Sequence, residues 1–103
     1  HTGRILHTSG VVPIAPDGSV PAGVADQAAV VWSSISAILA EASMGPADIV
    51  SVVTYVVVGE DLGSVMTARD VALEGNLVAS TLVYVPNLAQ PAWKVEVAVV
   101  AVA

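Results

Sequence analysis

Residues 94–103 read KVEVAVVAVA. Successive side chains of a strand point to opposite faces of its sheet. Trp93, Val95, Val97, Val99 and Ala101 therefore point one way, and Lys94, Glu96, Ala98, Val100 and Val102 the other. Both sets are apolar beyond position 96, as expected of a strand covered on both sides. One side is expected to meet helices of the same chain. The other is expected to meet another subunit, which places the single carboxylate, Glu96, on or beside a subunit interface.

Working outward, "DIVSVVTYVVV" (48–58) and "STLVYV" (80–85) are also rich in β-branched residues and read as strands. "RILHTSGVV" (4–12) reads as a short strand ending at Ser9-Gly10. "PIAPDGSVPAG" (13–23) reads as a turn-bearing loop or hairpin. Between them the period changes. Val24, Ala28, Val31, Ile35, Ile38 and Ala42 recur at helical spacing, and Gly45 and Pro46 stop the helix. A second, shorter helix covers "GEDLGSVMTARDVALEG" (59–75), with Asp61 as its N-cap and Leu62, Val65, Met66, Ala72 and Leu73 on its inner face. The expected architecture is a single domain over residues 1–103. It is a two-layer α/β sandwich with a mixed sheet of about six strands and both helices on one face.

Composition limits the function. The chain is 55% hydrophobic and 12% charged, which is more apolar and less charged than an ordinary soluble domain. A domain of this length buries only roughly two-thirds of its unfolded surface. Part of the apolar excess is therefore expected to be covered between copies of the chain. Net charge is −6, with Arg4, Arg69 and Lys94 as the only fixed cations. That set cannot neutralise the several phosphates a nucleic-acid site needs. No cysteine is present, which excludes disulfides and thiolate chemistry, and His1 and His7 do not make a metal site. "QAAVVWSSISAILA" (27–40) is too short and serine-rich to span a bilayer, so no membrane partner is expected. No signal peptide is visible and a cytoplasmic location is expected. His1 in place of Met points to processing, trimming or an incomplete N-terminus.

Four stretches, "TSGVVPIAPDGSVPAGVADQA", "ADIVSVVTYVV", "STLVYVPNLAQP" and "KVEVAVVAVA", together resemble the YjgF/RidA family of reactive-intermediate deaminases. The resemblance runs from about Ile5 to the end. It implies a chorismate-mutase-like fold and a homotrimer whose sheets pack into a central barrel, with a small-molecule cleft at each subunit interface. It implies hydrolysis of enamines and imines to a carbonyl compound and ammonia, with no metal or organic cofactor. The family's Ser-Gly pair corresponds to Ser9 and Gly10, and its water-positioning glutamate to Glu96. Its substrate-binding arginine has no counterpart. Ser80 stands at that position, followed by Thr81, with Leu82 where a cysteine is common and Met66 where an asparagine is.

Each candidate has a plainer reading. A carboxylate against apolar walls holds its proton more readily, which suits a general acid or base. A strand-end glutamate paired with Arg4 or Lys94 would instead be structural. Ser80 offers one neutral hydroxyl where an arginine would make a bidentate contact, so activity on amino-acid-derived substrates is expected to be weak. It has no argued base beside it and is not read as a nucleophile. Arg69 lies within the second helix's apolar stripe with no acid three or four residues away. It is expected to pin helix to loop through a distant carboxylate, backbone carbonyls or solvent, or else to replace the missing cation. Tyr55, Tyr84 and Trp93 read as core or rim, with Tyr84 able to line the cleft. The leading expectation is a RidA-like homotrimer acting on a small carbonyl, imine or enamine metabolite. The alternative is a non-catalytic binding or scaffold trimer.

Overall fold

A computed structural model describes residues 3–103. The order of elements is β1 (Ile5–His7), α1 (Val24–Glu41), a 3₁₀ turn (Pro46–Asp48), β2 (Ile49–Val57), α2 (Leu62–Leu73), β3 (Ala79–Val85) and β4 (Val95–Val102). The sheet has four strands in the order β1-β4-β2-β3. β4 runs antiparallel to β1 and β2, while β2 and β3 are parallel and joined through α2. The sheet is mixed, as expected.

The expected count of about six strands is corrected to four. Of "RILHTSGVV" only Ile5–His7 forms a ladder, and Val11 adds one isolated bridge to Val97. The segment after it contributes no strand. Pro13, Pro16 and Pro21 cannot donate to a ladder. Its local order is a turn, in which Gly18 donates to the Ala15 carbonyl (2.8 Å) and Ala15 to that of Ser19 (2.8 Å). Gly18 has φ +87°, which favours glycine, and the Asp17 carboxylate accepts from the Ser19 amide and hydroxyl.

One hydrophobic core lies between the sheet and the helices. Val95, Val97, Val99 and Ala101 of β4 are buried, as are Val52 and Val56 of β2. They meet Ala28, Val31, Trp32, Ile35 and Leu39 of α1, with Val65 and Leu73 of α2. The expected stripe on α1 holds except at Ile38, which is exposed, and Leu39 takes its place. Four steps from Ile35 keeps closer to the buried stripe than three. Glu41 ends α1, and Ser43 turns left-handed (φ 57°) ahead of Gly45 and Pro46. Asp61 caps α2 as its position predicts. Its carboxylate accepts from the Gly63 amide (3.1 Å) and the Ser64 hydroxyl (2.6 Å).

Gln27 is fully buried within the α1 stripe. Its amide donates to the carbonyls of Pro21 and Ala92 (both 2.8 Å), and its oxygen accepts from the Lys94 amide (2.8 Å). One side chain thus holds the loop before α1 against the loop before β4. The three bonds offset the cost of burying an amide.

Candidate functional site

β4 presents Glu96 to the side of the sheet away from the helices. Its cross-strand partner is Tyr55 of β2, and Tyr55 is opposite Val83 of β3. The next row holds Ala98, Val53 and Thr81, and beyond it lie Val100 with His7. Ile5 pairs with Val102 at the far end of the same side and is mostly exposed. This open side is mostly apolar, with Glu96, Tyr55, Thr81, Ser51 (opposite Val100) and His7 as its polar residues. Strand alternation at β4 therefore divides as the sequence predicts.

Gly10 lies directly against the Glu96 carboxylate. A Cβ built on Gly10 would come within 1.9 Å of Glu96 Oε2 and 2.7 Å of its carboxyl carbon. No side chain fits there while Glu96 keeps this position. The backbone that brings Gly10 in is fixed to β4 on both sides. Thr8 N–H donates to the Val99 carbonyl, the Thr8 hydroxyl oxygen accepts from the Val99 amide, and Val11 and Val97 exchange two backbone bonds. Ser9, between these anchors, is exposed.

The structural alternative for Glu96 required a cation. Lys94 pairs instead with Glu60 (3.6 Å), and Arg4 donates to the Ala42 carbonyl at the end of α1. Among the described residues, then, neither holds Glu96, and its half-buried carboxylate is left on the uncovered side beside Gly10.

Ser80 lies elsewhere. It pairs with Val52, whose side chain is buried under the helices, so Ser80 points to the helix side. Leu82 and Tyr84 share that side, opposite Thr54 and Val56. Arg69 of α2 reaches the same place, with Nη1 donating to Ser80 Oγ at 3.1 Å. Its Nε and Nη2 both donate to Asp70 Oδ1, at 3.1 and 2.8 Å. The expectation of a distant carboxylate for Arg69 is corrected. Its partner is its immediate neighbour, because the guanidinium stem is long enough to turn back along the helix surface. Gly10, Glu96 and Thr81 thus share one side of the sheet, and Arg69, Ser80 and Tyr84 the other. Sequence reasoning did not anticipate this division, nor Tyr55 as the residue opposite Glu96. No group of three or more His, Cys, Asp or Glu that could hold a metal occurs among the described residues.

The family model for endoribonuclease L-PSP matches residues 1–103. The chain belongs to this family, which is the YjgF/RidA family. Among solved structures, the YjgF gene product of E. coli is 29% identical, with a TM-score of 0.86 over 99% of this chain and 83% of that one. The Rid-family protein YyfB of Yersinia pestis is 27% identical, with a TM-score of 0.85 over 98% of this chain and 80% of that one. E. coli TdcF, solved with bound serine, is 24% identical with a TM-score of 0.88 over 100% and 84%. At that identity TdcF attests the fold alone. A search of curated proteins found no similar sequence. The YjgF/RidA members share the helix-on-one-side sheet, and no helix among the described residues of this one is long and apolar enough to cross a membrane.

Proposed function

We propose that the chain works as a RidA-like homotrimer with small-metabolite clefts at its subunit interfaces, hydrolysing enamine or imine intermediates to a carbonyl compound and ammonia. The observation that carries this reading is Glu96, seated on Gly10 on an uncovered apolar side of the sheet with neither Arg4 nor Lys94 paired to it. Packing of a second subunit against that side would dry the carboxylate. A carboxylate in such a setting can take a proton from water as the water oxygen attacks the imine carbon. The C=N electron pair moves to nitrogen, which receives that proton to give a carbinolamine. The carboxylate then takes the hydroxyl proton as the C=O forms and passes it to nitrogen as the C–N bond breaks, leaving the carbonyl and ammonia.

Ser80 and Glu96 lie on opposite sides of their own sheet, so a cleft that uses both must draw them from two subunits. The strand lacks a guanidinium at Ser80, and activity on amino-acid-derived substrates is therefore expected to be weak. That same feature supports the second reading, a trimer that binds such metabolites without turning them over.

The family model's name raises ribonuclease activity. The three fixed cations argue against it, because each is engaged and they do not cluster. Arg4 donates to Ala42, Arg69 is paired with Asp70, and Lys94 with Glu60. RNA binding that weakens steeply with salt would overturn this point.

The deciding experiment supplies 2-aminoacrylate from a dehydratase and follows keto-acid release, with mass measured by light scattering. Three times 10.3 kDa is expected. Catalysis that is present in wild type and lost in Glu96→Gln supports the hydrolase. A trimer that binds the metabolite with no acceleration selects the binding reading. A stable monomer overturns both. Gly10→Ala should displace the Glu96 carboxylate and abolish activity, and Gly10→Ala with Glu96→Ala should recover stability but not turnover.

A further inference from the structure

Tyr55 stands opposite Glu96 in the ladder between β2 and β4, with Val83 of β3 on its other flank. Directly opposed side chains of an antiparallel pair have Cβ atoms about 4.5–5.5 Å apart. The phenol is longer than the glutamate stem, and its hydroxyl can reach past the Glu96 carboxylate. We infer that Tyr55 sets substrate specificity, its hydroxyl donating to an oxygen that the substrate carries beside its reacting carbon. The substrates it favours are uncharged imines and enamines bearing a hydroxyl or carbonyl group, not amino-acid-derived acids. This rests on the reading of the Glu96 site proposed above and names its substrate class.

Tyr55 is half-buried, yet its hydroxyl makes no hydrogen bond among the described residues and stays open to solvent in the single chain. Val53, Val57 and Val83, beside it on the same side of the sheet, are apolar and offer it no partner. A neighbouring subunit packed there would take water from a lone donor, which is costly unless a ligand accepts from it. The flanks of Glu96 are also unequal. Gly10 lies against the carboxylate on one and contributes no side chain. Tyr55 is the wall on the other, and a ligand seated on Glu96 meets it.

Charge decides against an acid. A carboxylate ligand would meet Glu96 with no free cation beside it. Lys94 is turned to Glu60 (3.6 Å), Arg4 to the Ala42 carbonyl, and Arg69 lies with Ser80 on the opposite side of the sheet. Even an Arg69 supplied by a neighbouring subunit would bring Asp70 with it, 2.8 Å away. A phenol donates to a neutral hydroxyl or carbonyl oxygen and asks for no countercharge. A site built to hydrogen-bond a substrate oxygen rejects the analogue that lacks it, because the site's own polar group is then left unpaired.

Hydroxyacetone, butanone and pyruvate are suitable probes, titrated into the full chain and followed by the backbone amide resonances. Hydroxyacetone is the carbonyl product of such a substrate, butanone replaces its hydroxyl by a methyl group, and pyruvate carries the acid. Saturable shifts from millimolar hydroxyacetone are expected, centred on residues 53–57 and 94–98. Its binding should be about twofold to tenfold tighter than that of butanone, the range of one neutral hydrogen bond, and tighter than that of pyruvate. Tyr55→Phe should bring hydroxyacetone down to the level of butanone and leave butanone as it was, whereas loss of a merely structural tyrosine would weaken both alike. Melting curves show whether the variant is folded, and the preference of the wild type and the residues it shifts stand even if it is not. Equal binding of hydroxyacetone and butanone, tightest binding of pyruvate, shifts only far from Tyr55, no saturable shift, or a preference that survives in Tyr55→Phe would each overturn the inference. The preference without any imine turnover would overturn the hydrolase reading alone, and turnover without the preference would overturn the role of Tyr55 alone.

Discussion

The two sides of β4 are built from nearly the same residue types and meet opposite fates. On the helix side, Val95, Val97, Val99 and Ala101 are at most 1% exposed. On the other, Ala98, Val100 and Val102 are half-buried within a single chain, with Glu96 and Gly10 among them. Apolar composition alone therefore does not define a core. What separates the sides is that α1 and α2 cover one, and that no described element covers the other.

A charge placed on each side breaks the comparison most sharply. Burying an unpaired carboxylate costs several kcal/mol, against a total stability of about 5–15 kcal/mol for a typical domain. Val97→Asp should abolish cooperative melting. Val100→Asp should keep the helical circular-dichroism signal and, on the proposed trimer, lower the mass seen by light scattering. Equal unfolding of both would mean that the open side is as much a core as the covered one.

A smaller effect is expected at Gln27, the polar residue within the covered side. Gln27→Leu strands the Pro21 and Ala92 carbonyls and the Lys94 amide, at about 1–3 kcal/mol for each group that water cannot reach. Denaturant unfolding should show a loss of about 3 kcal/mol. A neutral result would show that the two loops relax to water without cost.

The smallest effect belongs to the exposed end of α2. The hydrogen bond from the Ser64 hydroxyl, with those from the Gly63 and Ser64 amides, holds the Asp61 carboxyl below its usual 3.8. A depressed value means stability that is present above about pH 3.8 and lost as pH falls through the folded-state value. Asp61→Asn should melt slightly below wild type at neutral pH, and the gap should close well below that pH. A gap that persists in acid would assign the effect to geometry and not to charge.

Much of this division was legible in the sequence. Strict alternation after position 93 assigns each β4 residue its side without reference to any neighbour. The α1 period likewise finds its buried stripe. Gln27 was not anticipated, although Val24, Gln27, Ala28 and Val31 follow helical spacing and place a polar residue within the buried stripe. Nor was the placement of Ser80. The side it faces follows from register with β2, and no local pattern in "ASTLVYV" fixes that register. The Arg69–Asp70 pair was missed because neighbours on a helix do not ordinarily face each other, and only the length of the arginine stem lets them meet. Strand count was overestimated where Pro13, Pro16 and Pro21 interrupt an otherwise strand-like composition.

β4 is the last strand in chain order and an inner strand of the sheet, between β1 and β2. Ile5 must wait for Val102 before β1 has any ladder partner. Contacts this distant in sequence slow folding, because the connecting chain must be ordered before they form. The β2–α2–β3 crossover is the local unit able to assemble first, and it does so with the inner edge of β2 bare. A chain halted before Val95 would present that edge to other chains, which is a hazard for aggregation. Loss of the last few residues would not trim a margin of the sheet. It would remove the strand that joins its two halves.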